Sequence, residues 1–527
     1  MPDFVASKRA ALFSLSDRTG ADALARELHA RGIAIYATGG TRAYLEAAGV
    51  PAQDVEALTG FPALFGGRVK TLHPKVFGAI LHDRADVDHT AQRDWYAIPS
   101  LDAIVVNLYP FEATISREGA TLSEAIEQID VGGVSLLRAA AKNYAQVAVL
   151  SDPSQYDAYV QELRRGEPDA ERRRAWAVAA FERTAAYDAS IAHYLADAGD
   201  DAGAAGLPGA LSLTLPLAQR LRYGTNPQAR AAFYLAGRDR LPEQLHGKAL
   251  SYNNLLDLDA TLRLLARAAL GAEIGSRRER YVRAAVVKHT VPCGVAQRGT
   301  VGKAVADAVE ADPISAFGGI VATDGVVDAE AALALKPYFL EIVAAPGFTD
   351  DALAALRAKK NLRVMQFAPG LPDELARELR VRSALGGVLA EDDDPAFEAE
   401  AWRVVSRREP TAQEWHDLAF AWDVVRHVKS NGIVIASAGT TRGICAGQTN
   451  RVSAVQIAAH RAGEKARGAV CASDGFFPFA DGLEAAAAAG CGAVIAPGGS
   501  VRDDEVVAAA DALGIALVFS SHRYFLH

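Results

Sequence analysis

The chain has 527 residues, too many for one hydrophobic core; half are apolar and 23% charged, as in a soluble globular protein of about two to four domains. A formal charge of −9 excludes the broad basic surface of a general nucleic-acid binder, yet leaves room for a local cationic pocket. Four scattered cysteines without a C-x-x-C pair read as free thiols; with no signal-like leader and no membrane-length apolar run, a cytoplasmic protein without membrane contact is expected.

In chain order, RAALFSLS reads as a strand and DALARELHARG as a helix closed by Gly32. IAIYA and TRAYLEAAG repeat that pair, the helix closed by Gly49. LDAIVVNLYPF is a buried strand stopped by proline, SLLRAAAKNY a helix and QVAVLSD a strand, with helices over 156–165 and 170–198. This alternation predicts an α/β domain over residues 1–198, a parallel sheet with helices on both faces. The small, acidic, non-periodic stretch at 199–209 reads as a linker. Residues 210–527 are again α/β, with strands at AAVVKH, GGIVAT, RVMQF, NGIVIAS, AVCAS, GAVIAPG and IALVFSS. VVKHTVPCGVAQRGTVG and HVKSNGIVIASAGTTRG share an outline that aligns Lys288 with Lys429 and suggests two similarly built subdomains.

The first domain offers an anion site. Ser14, Ser16 and Asp17 end one strand ahead of a helix, and Thr38, Gly39, Gly40 and Thr41 occupy the equivalent turn one unit later. Either turn alone reads as helix capping; two at adjacent parallel strand ends read as a phosphate cradle. GGRVKTLHPKVFG then carries Arg68, Lys70, Thr71, His73 and Lys75 on what looks like a compact loop. Tyr109 sits at a strand end, and Arg138 and Lys142 share a helical face. Asp130 precedes a helix and reads equally as its N-terminal acid or as a partner for a lysine.

In the second half, AAVVKHTVPCG runs small apolar residues into Lys288 and His289, then Pro, Cys and Gly, which read as a turn away from a strand mouth. The pair is either a proton-handling site or a polar strand end with a backbone-bonded histidine. LRYGTNPQ, SYNNLLDLDA, SAFGGIVA, KSNGIVIA, AGQTNR and SDGFFPFADG add loop-borne polar and aromatic groups suited to planar heteroaromatic ligands.

LFSLSDRTG, ATGGT, GGRVKTLHP, NLYPF and IDVGGVSLLRAAAKN together resemble an inosine monophosphate cyclohydrolase domain of methylglyoxal-synthase-like fold. LRYGTNP, ALSYNNLLDLDA, KHTVPCG, ADPISAFGGIVA, RSALGGVL, KSNGIVIA, AGQTNR, SDGFFPFADG, APGGSVRDDEV and SSHRYF resemble, in order, an aminoimidazole-carboxamide ribotide formyltransferase domain. The whole chain is therefore similar to the family of bifunctional purine-biosynthesis enzymes.

That resemblance implies two cytidine-deaminase-like subdomains in the second half, 10-formyltetrahydrofolate as formyl donor, no metal, and a homodimer with formyltransferase sites at its interface. It implies catalytic roles for Lys70, Tyr109, Asp130 and Lys142 in ring closure, and for Lys288, His289 and Asn431 in formyl transfer. For substrate binding it implies Ser14, Ser16, Arg18, Thr38, Gly40, Thr41, Arg68 and Thr71 in the first half. In the second it implies Arg222, Tyr223, Phe317, Gly318, Arg451, Phe477 and Arg523. The sequence departs from the family pattern at Thr225–Gln228, at Val291 and at Tyr524.

A zinc nucleoside deaminase is excluded by the lack of H-x-E and P-C-x-x-C. G-x-G-x-x-G and the P-loop pattern are absent too. A nucleotide-sensing first domain is the remaining rival, and Lys70, Tyr109, Asp130 and Lys142 speak against it.

Overall fold

The computed structural model describes residues 9–117, 119–197, 207, 209–235, 241–266, 281–392 and 402–527. The chain separates into two compact units, Met1–Thr214 and Leu215–His527. Most of the expected linker at 199–209 lies outside the described residues.

The first unit opens β1 (Arg9–Ser14), α1 (Ala21–Ala30), β2 (Ala34–Ala37), α2 (Gly39–Ala47), β3 (Gln53–Asp54) and α3 (Val55–Thr59). It continues α4 (Pro74–Leu81), α5 (Val87–Trp95), β4 (Ser100–Val106), α6 (Phe111–Ile115), α7 (Leu122–Glu127), α8 (Gly132–Lys142), β5 (Ala148–Leu150), α9 (Tyr156–Arg165) and α10 (Ala170–Asp197). The described strands pair in parallel in the order β3-β2-β1-β4-β5. Every residue of β4 is buried, as a central strand covered on both faces requires. Gly32 and Gly49 follow α1 and α2 at φ +73° and +78°, the left-handed conformation expected of them as helix-closing residues. One expectation fails: the segment read as a loop around Lys75 enters α4, because Pro74 is preset for a first helical position and the His73 ring accepts the Lys75 N–H.

The second unit begins with β6 (Leu217–Leu221), β7 (Ala231–Tyr234) and β8 (Glu243–His246). Then come α11 (Tyr252–Leu265), β9 (Val282–Lys288), β10 (Val291–Arg298), α12 (Val301–Glu310), α13 (Pro313–Ala316), β11 (Ile320–Thr323), α14 (Ala329–Leu335), β12 (Ile342–Ala345), α15 (Asp350–Arg357) and β13 (Arg363–Gln366). After α16 (Leu371–Ala376), β14 (Arg380–Ala384), β15 (Gly387–Glu391) and β16 (Arg403–Val404), the same order returns. It runs α17 (Ala412–Val425), β17 (Ile433–Ser437), β18 (Thr440–Cys445), α18 (Arg451–Ala462), β19 (Val470–Ser473), α19 (Asp481–Ala488), β20 (Ala493–Pro497), α20 (Asp503–Leu513) and β21 (Ala516–Ser520).

The two copies join through an antiparallel contact of β10 with β18 in one mixed sheet, which among the described residues has twelve strands. In each copy a helix precedes an antiparallel hairpin, a second helix follows it, and three mutually parallel strands extend outward. Helices α11 and α17 share the core on one face of the sheet, and α12 and α18 lie in separate cores that include residues of the opposite strand faces.

All seven strands read from the sequence in this half are present, but β10 and β18, the second arms of the two hairpins, were not anticipated. Pro292 and Gly294 look like turn residues, yet a β-carbon at Gly294 would overlap the Ala308 carbonyl oxygen of α12. Gly443 in β18 faces the Ala458 carbonyl oxygen of α18 in the same way. Both glycines are there for close helix approach. The copies also correct the sequence alignment: hairpin register matches Lys288 to Ser437, eight residues beyond Lys429.

One ion pair ties the copies together under the sheet. Arg283 of β9 meets Asp423 of α17 at 2.6 Å, with the side chains 2% and 1% exposed. Arg283 also donates to the Leu264 carbonyl oxygen at the end of α11. Removing one partner strands the other charge in the core. Asp423→Ala is expected to lower stability by about 3–5 kcal/mol in denaturant unfolding, and the double replacement Arg283→Met with Asp423→Leu to recover most of that loss.

Candidate active sites

In the first unit, β1 and β2 end side by side. Thr38 stands at the N-cap of α2, but its side chain makes no capping bond and its hydroxyl lies 3.4 Å from Ser14 Oγ. Thr41 does not cap either: its Oγ1 accepts the Leu15 N–H at 3.0 Å. The Arg18 guanidinium lies against Gly40, where a β-carbon would come within 2.9 Å of Nη2. Ser14, Arg18, Thr38, Gly40 and Thr41 therefore gather around the start of α2, whose N-terminal N–H groups and dipole favour an anion. A residue not singled out from the sequence shapes this turn. Asn107, just beyond β4, accepts the Ser16 and Asp17 N–H groups at 2.7 and 2.9 Å and donates to the Asp17 carbonyl oxygen at 2.6 Å. The N before Leu-Tyr-Pro was its only signal, and nothing local shows that it reaches ninety residues back.

A second group forms at the start of α8. Asp130 Oδ1 accepts the Gly133 N–H at 2.7 Å, and the Asp130 N–H donates to the Tyr187 hydroxyl at 2.9 Å. Burial pushes the Asp130 carboxyl above the ordinary range, opposed by the Gly133 N–H, the Lys70 ammonium and the Tyr109 N–H. Thr71 is buried with its hydroxyl against Gly132, where a β-carbon would stand 2.7 Å away. Lys70 also lines a cavity of about 130 Å³ with Phe61, Leu64 and His73.

Two expected site residues are not among these contacts. Lys142 is in the last turn of α8, about 15 Å along the helix axis from Gly132 at 1.5 Å per residue. Arg68 is exposed and paired with Glu127.

In the second unit, Lys288 and His289 are not at an open strand mouth. They begin a two-residue hairpin turn, Lys288 pairing with Val291 across it, and His289 and Thr290 both lie at positive φ, +54° and +60°. Lys288 Nζ donates to the Phe317 carbonyl oxygen at 2.7 Å, and Gly318 follows at φ +76°. The exposed Phe317 ring packs on Phe339 at 5.2 Å. Arg222 lies over the Tyr223 ring at 4.9 Å, and the turn that follows is tied to α11 by Asn253 Nδ2 donating to the Thr225 carbonyl oxygen at 3.3 Å.

Asn431, Arg451 and Arg523 form a separate group. Asn431 accepts from Arg451 Nη2 at 2.5 Å and donates to the Gln448 carbonyl oxygen at 2.8 Å. Arg451 is fixed by the fully buried Asp474 at 2.6 Å. The chain end is pinned on this group: the Ser430 N–H donates to the Leu526 carbonyl oxygen and the Tyr524 N–H to that of Asp474, both at 3.0 Å. Arg523 stacks on Phe525 at 4.7 Å, and Phe525 packs on Gly475 beside Arg451. One sequence expectation changes here. Phe477 is 2% exposed and packs under Gly482 in the core; Phe476 and Phe479 are the exposed rings of that loop. Tyr524 is core as well, against Trp422 and Arg426.

The repeat relates the two groups. Because β10 and β18 run antiparallel, with Ala296 opposite Thr440, the His289 turn and the start of β17 fall at the same end of the sheet. They are separated by two to three strand spacings, about 10–14 Å. At the other end the counterpart turn, Ala438-Gly439, is closed by Arg298, which donates to the Ala438 carbonyl oxygen at 2.8 Å and pairs with Asp307 at 2.6 Å. Among the described residues, one end alone combines a basic turn with an arginine–asparagine cluster.

Comparison with known proteins finds two family models along the chain. The family model described as AICARFT/IMPCHase bienzyme matches residues 140–461, and that of the MGS-like domain matches residues 20–135. Bifunctional purine biosynthesis protein PurH of Prochlorococcus marinus (strain MIT 9303) is 47% identical over 521 residues, covering 98% of this chain and 99% of that protein. Its namesake in Synechococcus sp. (strain CC9605) is 47% identical over 523 residues, with 98% and 99% covered. That of Anoxybacillus flavithermus (strain DSM 21510 / WK1) is 45% identical over 527 residues, with 99% and 100% covered.

Asn107→Ala leaves the Ser16 and Asp17 N–H groups without their acceptor. It is expected to cost about 1–3 kcal/mol in unfolding experiments and to weaken protection of the first unit by inorganic phosphate.

Proposed function

Because the chain belongs to the AICARFT/IMPCHase bienzyme family, we propose that its two reactions are housed separately, ring closure in residues 1–198 and formyl transfer in residues 210–527. The protein is a bifunctional aminoimidazole-carboxamide ribotide formyltransferase and inosine monophosphate cyclohydrolase, acting in the final steps of de novo purine synthesis. The formyl donor is a folate; in our reading it is 10-formyltetrahydrofolate, and the enzyme works without a metal, in the cytoplasm, as a homodimer with the formyltransferase site at its interface. Exposed Ile314, Phe317, Leu385 and Leu389 on the second unit support an apolar contact between copies.

For formyl transfer, the substrate amine attacks the formyl carbon, its lone pair weakened by conjugation with the imidazole ring. The exposed His289 takes the amine proton, and the Lys288 ammonium stabilises the oxyanion before the tetrahydrofolate nitrogen leaves with a proton. Asn431 and Arg451, with Arg222 and Arg523, hold the nucleotide and the folate, and Phe317 covers a planar ring. The single observation that carries this assignment is the shared sheet end, which sets a lysine–histidine turn about 10–14 Å from an asparagine–arginine pair.

For ring closure, the carboxamide nitrogen attacks the formyl carbon within one molecule, and the resulting carbinolamine loses water. The turns at Ser14–Arg18 and Thr38–Thr41 hold the phosphate. Lys70 stabilises the developing oxyanion, and Asp130 and Tyr109 move protons. A raised carboxyl at Asp130 suits it to carry a proton.

His289→Ala is expected to lower formyl transfer by about 10²–10⁴-fold while closure of supplied formylated nucleotide persists. Lys70→Ala is expected to do the reverse and accumulate the formylated intermediate. Assaying both half-reactions on each folded variant decides it; loss of both reactions together in either variant defeats the two-site reading.

A further inference from the structure

The turn that carries His289 is held from outside, and we propose that Asp257 is a positioning residue for formyl transfer, its carboxylate fixing the backbone that aims the imidazole. The inference rests on the reading of His289 as proton acceptor and adds to it the group that sets its geometry.

The turn cannot hold itself cheaply. A two-residue hairpin with both residues at positive φ favours Asn and Gly, and here the residues are His289 and the β-branched Thr290. Such conformations persist only where neighbours impose them. Asp257, in the second turn of α11, accepts the Thr290 N–H at Oδ1, 2.7 Å away. Burial pushes the Asp257 carboxyl up, opposed by the Thr290 and His289 N–H groups and by the imidazole, so the carboxylate faces both residues of the turn. Four residues earlier on the same helical face, Asn253 holds the Thr225 carbonyl oxygen. One helix face thus fixes the position of the His289 turn and the turn following Arg222 and Tyr223.

The repeat supplies an internal comparison. In the second copy, Asp417 of α17 accepts the Ala438 and Gly439 N–H groups at 2.9 and 2.8 Å, and those residues also lie at positive φ, +49° and +62°. The same clamp therefore serves a turn with chemistry on it and one without. If the clamp matters only for folding, loss of either aspartate has the same kind of consequence. If Asp257 positions His289, only its loss changes the chemical step.

The test uses the full chain, with formyl transfer and ring closure assayed side by side. Asp257→Ala is expected to lower kcat for formyl transfer about 100-fold, with KM for both substrates held within about threefold and ring closure unchanged. Asp257→Asn, whose amide oxygen still accepts the Thr290 N–H, is expected to stay within about tenfold of the parent. Asp417→Ala is expected to lose stability but keep formyl-transfer kcat within about threefold in the folded fraction. Equal loss of kcat in Asp257→Ala and Asp417→Ala, or an unchanged kcat in Asp257→Ala, overturns the inference. Should Asp257→Ala fail to fold, Asp257→Glu decides: its longer arm displaces the acceptor, so a kcat at least about tenfold lower supports the role and an unchanged kcat overturns it. His289→Ala is run in parallel. If it keeps full formyl transfer, the reading of the site itself fails; if it loses activity while Asp257→Ala does not, only the present inference falls.

Discussion

The second unit is organised around a charge that has nowhere else to go. Arg283 enters the core on β9, and a guanidinium removed from water needs a countercharge within reach. That countercharge, Asp423, comes from the other copy of the repeat, on α17. The pair therefore sets how the second copy docks on the first. Everything at the Lys288 end of β9, and everything at the start of β17, is placed relative to that docking. Two apolar faces could slide past one another at little cost; a paired charge admits far fewer arrangements.

The duplication then does something neither copy does alone. Each copy has a hairpin tip at one end and an aspartate at the other, Asp324 in the first and the buried Asp474 in the second, each with its N–H on a backbone carbonyl near the start of the hairpin. Antiparallel joining brings the tip of one copy to the aspartate end of the other, giving two composite edges. The copies have diverged so that one edge presents Lys288, His289, Asn431 and Arg451, while at the other Arg298 folds back onto Ala438 and Thr440. Each composite edge thus draws residues from both copies, which is why neither copy reads as complete in sequence.

What could be read from the sequence follows the range of the interactions. Local periodicity yields the parallel sheet of the first unit and seven strands of the second, because a buried strand is apolar whatever its neighbours are. Gly294 misleads because its reason is a helix packed across the strand, some fifteen residues away in sequence. Phe477 misleads in the other direction: it sits among exposed aromatics in a polar loop, and only the position of Gly482 shows that it turns inward. Asn107 and Asp257 act on backbone N–H groups far away in sequence, and a side chain that serves remote backbone leaves no local pattern.

The last residues of the chain are structural members of the Arg451 edge, with Tyr524 in the core and Leu526 bonded to Ser430. Anything appended beyond His527 therefore emerges beside Arg523 and Phe525, within reach of whatever anion those side chains attract. A purification handle fused there therefore crowds this edge, and an acidic one brings its carboxylates to the Arg523 guanidinium.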